Sequence, residues 1–235
     1  MSRIRQKPDL ALLEEAIGYV FCDRGLLAVA LTHKSFHHEN KDAAPTYNER
    51  LEFLGDSVVG LVIVEHLFGL EQGYSESVLA KMKSYLACEG VMAEIAAGIS
   101  LQRFLLLGKG EESTGGRTKK SILADSLEAL IGAVYNDGGL DAARRVVLSL
   151  FGGKISQVVE SGEFYDYKTE LQERTQLLRG TLPEYRVIGQ EGQDHRRVFT
   201  VAVYLEGRQL ATASGGRIKE AEALAAKKAL EKISR

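Results

Sequence analysis

Residues 48–56 read Asn-Glu-Arg-Leu-Glu-Phe-Leu-Gly-Asp. In a helix, at about 100° per residue, Glu49, Glu52 and Asp56 fall within an arc of about 60°, and Leu51, Leu54 and Val58 gather on the opposite side. Carboxylates stacked on one face repel one another, and the position four after Glu52 holds another acid, Asp56, where a base would compensate. Taken alone, such a face could simply be solvated. A second pair argues otherwise. Residues 121–132, Ser-Ile-Leu-Ala-Asp-Ser-Leu-Glu-Ala-Leu-Ile-Gly, form an apolar, small-residue helix in which Asp125 and Glu128 share a face hemmed in by Leu123, Ala124, Leu127, Ala129 and Leu130. Half-buried acids need a cation or strong donors. Oxygen ligands with no His or Cys among them suit Mg²⁺, with Mn²⁺ as its substitute. Acids on two helices can hold such an ion and keep water positions open, as in metal-assisted phosphodiester hydrolysis. Di-iron bundles also carry internal carboxylates, but they use Glu-x-x-His pairs. None of His33, His37, His38, His66 and His195 has that spacing from Glu49, Glu52, Asp125 or Glu128.

The elements that must position these acids follow from periodicity. Apolar spacing of three and four predicts helices over 10–22, 46–68, 76–96, 121–136 and 139–159. After about residue 183 the period becomes two, and Phe199, Val201, Val203 and Leu205 share one face of a strand. Acids outnumber bases in residues 1–160, and bases outnumber acids in 161–235. The expected fold is therefore multidomain: an all-α domain over 6–156, a linker over 157–165 and a small α+β domain over 166–235, ordered helix, three strands, helix. The 235 residues are 45% hydrophobic and 26% charged, which excludes a wholly disordered chain. The longest apolar run, Val58 to Val64, is far short of the roughly 20 residues of a membrane span, so no membrane partner is expected. Residues 1–8 lack the apolar core of a secretory signal, and Cys22 and Cys88 do not suggest a disulfide scaffold, so a cytoplasmic location is expected. Phe53, about 40° from Glu49, sits beside the acids and off the core stripe. It faces either a partner or a covering loop of the same chain.

Asn48–Asp56 resembles the signature of the bacterial ribonuclease III family, and residues 30–35, Ala-Leu-Thr-His-Lys-Ser, and 121–132 are similar to its flanking motifs in order and spacing. The resemblance covers nearly the whole chain. It implies an all-α ribonuclease III-type nuclease domain in which Glu52, Asp125 and Glu128 coordinate Mg²⁺ and Asp56 and Glu128 are catalytic. By the same resemblance Glu49 and Glu76 are further acids that engage RNA or a second metal, though Ser75-Glu76-Ser77 reads equally well as a helix start. Glu111 occupies another family acid position, and Phe53 lies at a homodimer interface. The implied activity is hydrolysis of double-stranded RNA to 5′-phosphate and 3′-hydroxyl ends with short 3′ overhangs, on ribosomal RNA precursors and structured messengers.

Residues 166–235 resemble a double-stranded RNA-binding domain, which reads A-form shape over about 16 base pairs. Asp166 could cap the first helix. The resemblance places Thr169, Gln172, Glu173 and Gln176 in one minor groove and the loop 191–195, with His195, in the next. The start of the last helix, with Arg217 and Lys219, would meet the phosphates between them. Family members usually have a longer run of bases there, whereas here Ile218 interrupts it. The last helix, 218–233, carries an expected stripe of Ala223, Ala226, Leu230 and Ile233, with Lys219, Lys227, Lys228 and Lys232 outside it. A non-cleaving binder on the same fold would be favoured by loss of Glu52, Asp56, Asp125 or Glu128, and all four are present.

Overall fold

The structure, a computed structural model, describes residues 9–70, 73–161, 167–192 and 197–233. The chain divides into two compact units, Met1–Gly162 and Glu163–Arg235.

The first unit is helical among its described residues. Its order is α1 (Leu10–Ile17), α2 (Arg24–Ala30), α3 (Lys34–Glu39), α4 (Glu49–Phe68), α5 (Glu76–Leu86), α6 (Glu89–Gly98), α7 (Lys109–Ser113) and α8 (Lys120–Ser161), with single 3₁₀ turns at Leu101–Arg103 and Gly116–Thr118. Helix α1 ends earlier than its apolar spacing predicts, because Gly18 takes a left-handed φ of 67° and turns the chain. The segment expected as one helix over 76–96 is two. Cys88 has an extended backbone (ψ 151°) and starts α6 afresh. The two helices expected over 121–136 and 139–159 are both present within α8: they meet at Gly139, whose φ of 74° and ψ of −174° are not helical, so the stretch is two helices joined at that residue.

The largest packing interface in this unit joins α4 to α8. Leu51, Val58, Val59, Val62 and Ile63 of α4 and Leu127, Leu130, Ile131 and Val134 of α8 are all buried. Leu54, expected on the core stripe, is only half-buried, and Gly55 is buried beside it. The reason is a close approach of backbones. A Cβ on Gly55 would overlap the carbonyl oxygen of Glu128, and one on Gly132 would overlap that of Leu51. No side chain larger than hydrogen fits at either crossing, so α4 and α8 meet main chain to main chain.

The second unit begins with α9 (Tyr167–Arg179), continues through strands β1 (Glu184–Glu191), β2 (Val198–Leu205) and β3 (Arg208–Gly215), and closes with α10 (Ile218–Ile233). The strands form an antiparallel sheet in sequence order. Val203 lies opposite Tyr185 on one side and Ala211 on the other. Glu206 (φ 51°) and Gly207 (φ 77°) both take the positive φ of a tight hairpin between β2 and β3. The core joins Leu171 of α9, Val203, Ala211 and Ala213 of the sheet, and Ala225, Ala226, Ala229 and Leu230 of α10. Relative to the expected stripe, Ala223 is half-buried and Ala221, Ala225 and Ala229 replace it in the core. Methyl-sized side chains on this face let α10 lie close on the sheet. No helix among the described residues is long and apolar enough to cross a membrane.

Candidate active site and nucleic-acid interface

The close approach of α4 and α8 brings Glu52 to Asp125 and Glu128. One carboxylate oxygen from each lies within 4.8 Å of the other two, and all three residues are half-buried. This is no solvated acidic face. Burial, then the charges of Asp56, Asp125 and Glu52, push the Glu128 carboxyl up to about 7. Burial also raises Asp125, helped by the charge of Glu89 and opposed by His33 and Lys34. Glu52 is raised by burial, then by Asp125 and Glu49, with Lys34 acting against them. The three groups hold more negative charge than their surroundings neutralise. Donors made only of oxygen, converging in a half-dry recess with surplus negative charge, fit a hard divalent cation.

The other acids lie outside this set. Asp56 is exposed, one turn after Glu52 on α4, and its charge is felt by both Glu128 and Glu52. The Glu49 carboxylate is held by Lys34, with Nζ and Oε1 3.1 Å apart. Glu76 is exposed in the first turn of α5. Glu111 pairs with Lys119 at 2.5 Å, and that hydrogen bond holds its carboxyl below the ordinary value.

Sequence reasoning left three groups of this site unused. Lys34 and His33 lie within the 30–35 motif, and both act electrostatically on Asp125. His33 caps α3: its Nδ1 accepts from the Ser35 N–H (3.2 Å), so the ring proton belongs on Nε2, and burial keeps its pKa low. Glu89, at the start of α6, is the strongest charge acting on Asp125. The available signal for the close crossing was a glycine on each acid-bearing helix, Gly55 three after Glu52 and Gly132 four after Glu128.

Phe53 is 80% exposed, and no described segment covers it. It begins an apolar stripe along α4 that continues through Leu61, Val64 and Phe68, all exposed. Beside it opens a cavity of about 730 Å³ lined by Leu26, Val29, Tyr47, Leu51 and Leu54 among others.

On the second unit, Gln172 is half-buried and Glu173 and Gln176 are exposed along α9, with Thr169 on the same face. His195 and Asp166 lie outside the described residues. The lysines of α10 divide in two. Lys228 donates to the Thr212 carbonyl (3.3 Å) and Lys232 to that of Leu210 (2.7 Å), while Lys227 sits over the Tyr167 ring at 5.4 Å. Arg217 and Lys219 remain exposed at the amino end of α10, with Ile218 41% exposed between them. Lys168 joins α9 to α10 through Glu222 at 2.6 Å and also lies over the Tyr185 ring. The polar face of α9 and the start of α10 are thus fixed to one another.

Comparison with known proteins agrees with both units. Residues 23–154 match the family described as Ribonuclease-III-like, and residues 167–233 match the double-stranded RNA binding motif. Ribonuclease 3 of Pseudothermotoga lettingae is 46% identical over 222 residues, covering 93% of each chain. Ribonuclease 3 of Caldanaerobacter subterraneus is 45% identical over 224 residues, covering 95% of this chain and 98% of that one. Among solved structures, the nuclease domain of ribonuclease III from Campylobacter jejuni superposes with a TM-score of 0.57 at 41% identity, over 62% of this chain and 97% of that one; that structure is described for flexibility in a region involved in dimer formation.

Proposed function

The chain belongs to the ribonuclease III family, and on that premise we propose that it is a Mg²⁺-dependent endoribonuclease acting on double-stranded RNA as a homodimer. The observation that carries this reading is the convergence of Glu52, Asp125 and Glu128 within 4.8 Å of one another. An acidic recess repels a polyanion unless a cation reverses its sign. Glu52, Asp125 and Glu128 would hold that cation. Bound there, Mg²⁺ or Mn²⁺ supplies an acidified water and neutralises charge developing on the phosphate. Asp56, exposed one turn from Glu52, is available to orient the attacking water. Glu128, at about 7 in the metal-free protein, shifts to its ionised form when a cation binds. Glu49, one turn before Glu52, and by family resemblance Glu76, would contact RNA or a second ion. The products expected are 5′-phosphate and 3′-hydroxyl ends.

Dimerisation is supported by the unpartnered apolar stripe from Phe53 to Phe68 and by the cavity next to Phe53, large enough to receive an aromatic ring from a second copy. Two sites related by a two-fold axis would cut both strands and leave short 3′ overhangs. The second unit would supply duplex recognition. Thr169, Gln172, Glu173 and Gln176 would bond ribose hydroxyls in one minor groove, His195 would enter the next, and Arg217 and Lys219 would meet the phosphates between. The exposed state of both cysteines suits a reducing cytoplasm, and ribosomal RNA precursors and structured messengers are the expected substrates. The test is incubation with a perfect RNA duplex, with and without Mg²⁺. Cleavage only in its presence supports the reading; an intact duplex in both contradicts it.

A further inference from the structure

A lysine stands beside the acid cluster. Lys34 opens α3, and its Nζ lies 3.1 Å from Glu49 Oε1. Glu49 precedes Glu52 by one helical turn on α4, and Glu52 shares the recess with Asp125 and Glu128. The backbone around Lys34 is tied down on several sides. The Asn48 N–H donates to the Thr32 carbonyl (2.9 Å) and the His33 N–H to that of Leu106 (3.1 Å). The Gly108 N–H donates to Ser35 Oγ (2.9 Å). Asn48, where α4 begins, is buried. The mount of Lys34 is therefore continuous with the start of the helix that carries Glu52.

Its head group is free by comparison. The Lys34 side chain is 56% exposed and that of Glu49 46%, an arrangement in which an ion pair adds little to stability and breaks easily. A lysine on a fixed backbone, with its flexible stem and charged tip in solvent, can exchange one anionic partner for another. Charge supplies the direction. A cation beside carboxylates that gather a divalent ion opposes that ion. Its field reaches Glu52 and Asp125. Lys34 repels the ion directly while favouring the ionised carboxylates that would hold it, whereas an arriving anion gains from it outright.

We propose that Lys34 is a phosphate-binding residue of the cleavage site, resting on Glu49 in the free protein and transferring to a non-bridging oxygen of the RNA phosphate when a duplex docks against the acid cluster. This rests on the reading of the first unit as an RNA-cleaving site. It also gives Glu49 a role, as the resting partner of Lys34.

The experiment compares wild type, Lys34→Gln and Lys34→Arg by three measurements. The first is single-turnover cleavage of an RNA duplex at saturating Mg²⁺. The second is duplex affinity, with each change also placed in the Glu128→Gln background to prevent turnover. The third is Mn²⁺ binding by calorimetry without RNA. Lys34→Gln is expected to cleave about 10- to 100-fold more slowly and Lys34→Arg to recover most of the rate. Duplex affinity is expected to stay within about threefold, because one phosphate contact among many is lost. Mn²⁺ is expected to bind Lys34→Gln within about threefold of wild type, because the direct repulsion and the support of ionised carboxylates oppose each other, a result that loss of a scaffold would not produce. Wild-type cleavage by Lys34→Gln overturns the proposal. So does weaker Mn²⁺ binding with cleavage restored by added metal, which would make Lys34 a support for the carboxylates. Failure of wild type itself to cut the duplex would remove the nuclease reading, and it is told apart because it shows in the unaltered protein.

Discussion

In the N-terminal unit the candidate metal ligands are sunk between two helices, whereas in the C-terminal unit the candidate phosphate contacts stand in solvent at the start of one. Glu52, Asp125 and Glu128 are half-buried and crowd one another because Gly55 and Gly132 let α4 and α8 touch. Arg217 and Lys219 are exposed, and the other lysines of α10 that lie nearer the sheet are occupied by carbonyls or an aromatic ring. The difference follows from the work each set is suited to. A metal needs ligands held a fixed distance apart, and burial provides this at the cost of raised carboxyl pKa values. A phosphate backbone read by shape needs reachable charge and little else. The first unit should therefore respond to pH, metal and packing, and the second to salt.

The largest expected effect separates the two. Glu128→Gln should reduce cleavage by about 1000-fold or more while leaving duplex affinity within a few-fold, checked by cleavage and filter-binding assays on one preparation. Loss of binding in step with cleavage would erase the division of labour. Next comes the glycine crossing. Gly55→Ala forces a methyl into the Glu128 carbonyl and should destabilise the first unit by roughly 1–3 kcal/mol or more, read by denaturant unfolding, while also weakening metal binding. An unchanged midpoint would mean that the helices are free to separate.

The third effect is pH dependence. Glu128 is raised from 4.5 to about 7 in the folded metal-free protein. As pH rises through that window the unfolded chain gives up this proton before the folded one does, so stability falls. The melting temperature without metal should decline from about pH 4.5 to about pH 7, and Glu128→Gln should flatten that decline. Last is the exposed pair. Lys219→Ala should weaken duplex binding several-fold and reduce the slope of log affinity against log salt by about 1, with Ile218→Lys moving the slope the other way. Salt slopes identical in all three proteins would place the phosphate contacts elsewhere.

The same contrast explains what could be read from the sequence. The acids were legible because a carboxylate on an apolar helix breaks a periodic pattern, as Asp125 and Glu128 do. The last helix was legible at both ends because its period runs unbroken from Ile218 to Ile233. Helices α2, α3 and α7 were not, since seven, six and five residues are too few to show a period. The break at Ala87–Cys88 is hidden because apolar spacing continues across it, whereas the break inside α8 is legible because Gly138 and Gly139 interrupt the pattern where the backbone leaves helical geometry. The core stripe of α4 was misjudged at Leu54 since periodicity registers large apolar side chains, and the tightest contact there is made by Gly55, which has none. The role of Lys34 is hidden in the sequence for a similar reason. Its partners come from another helix, and only the folded chain brings them together.

The central claim is that Glu52, Asp125 and Glu128 jointly hold one divalent cation. Crystals grown with Mn²⁺ test it directly, through anomalous scattering from the ion. The account predicts a peak bonded to oxygens of all three carboxylates, abolished in Glu128→Gln. A map with no peak between α4 and α8, or with manganese bound by other groups, would contradict it.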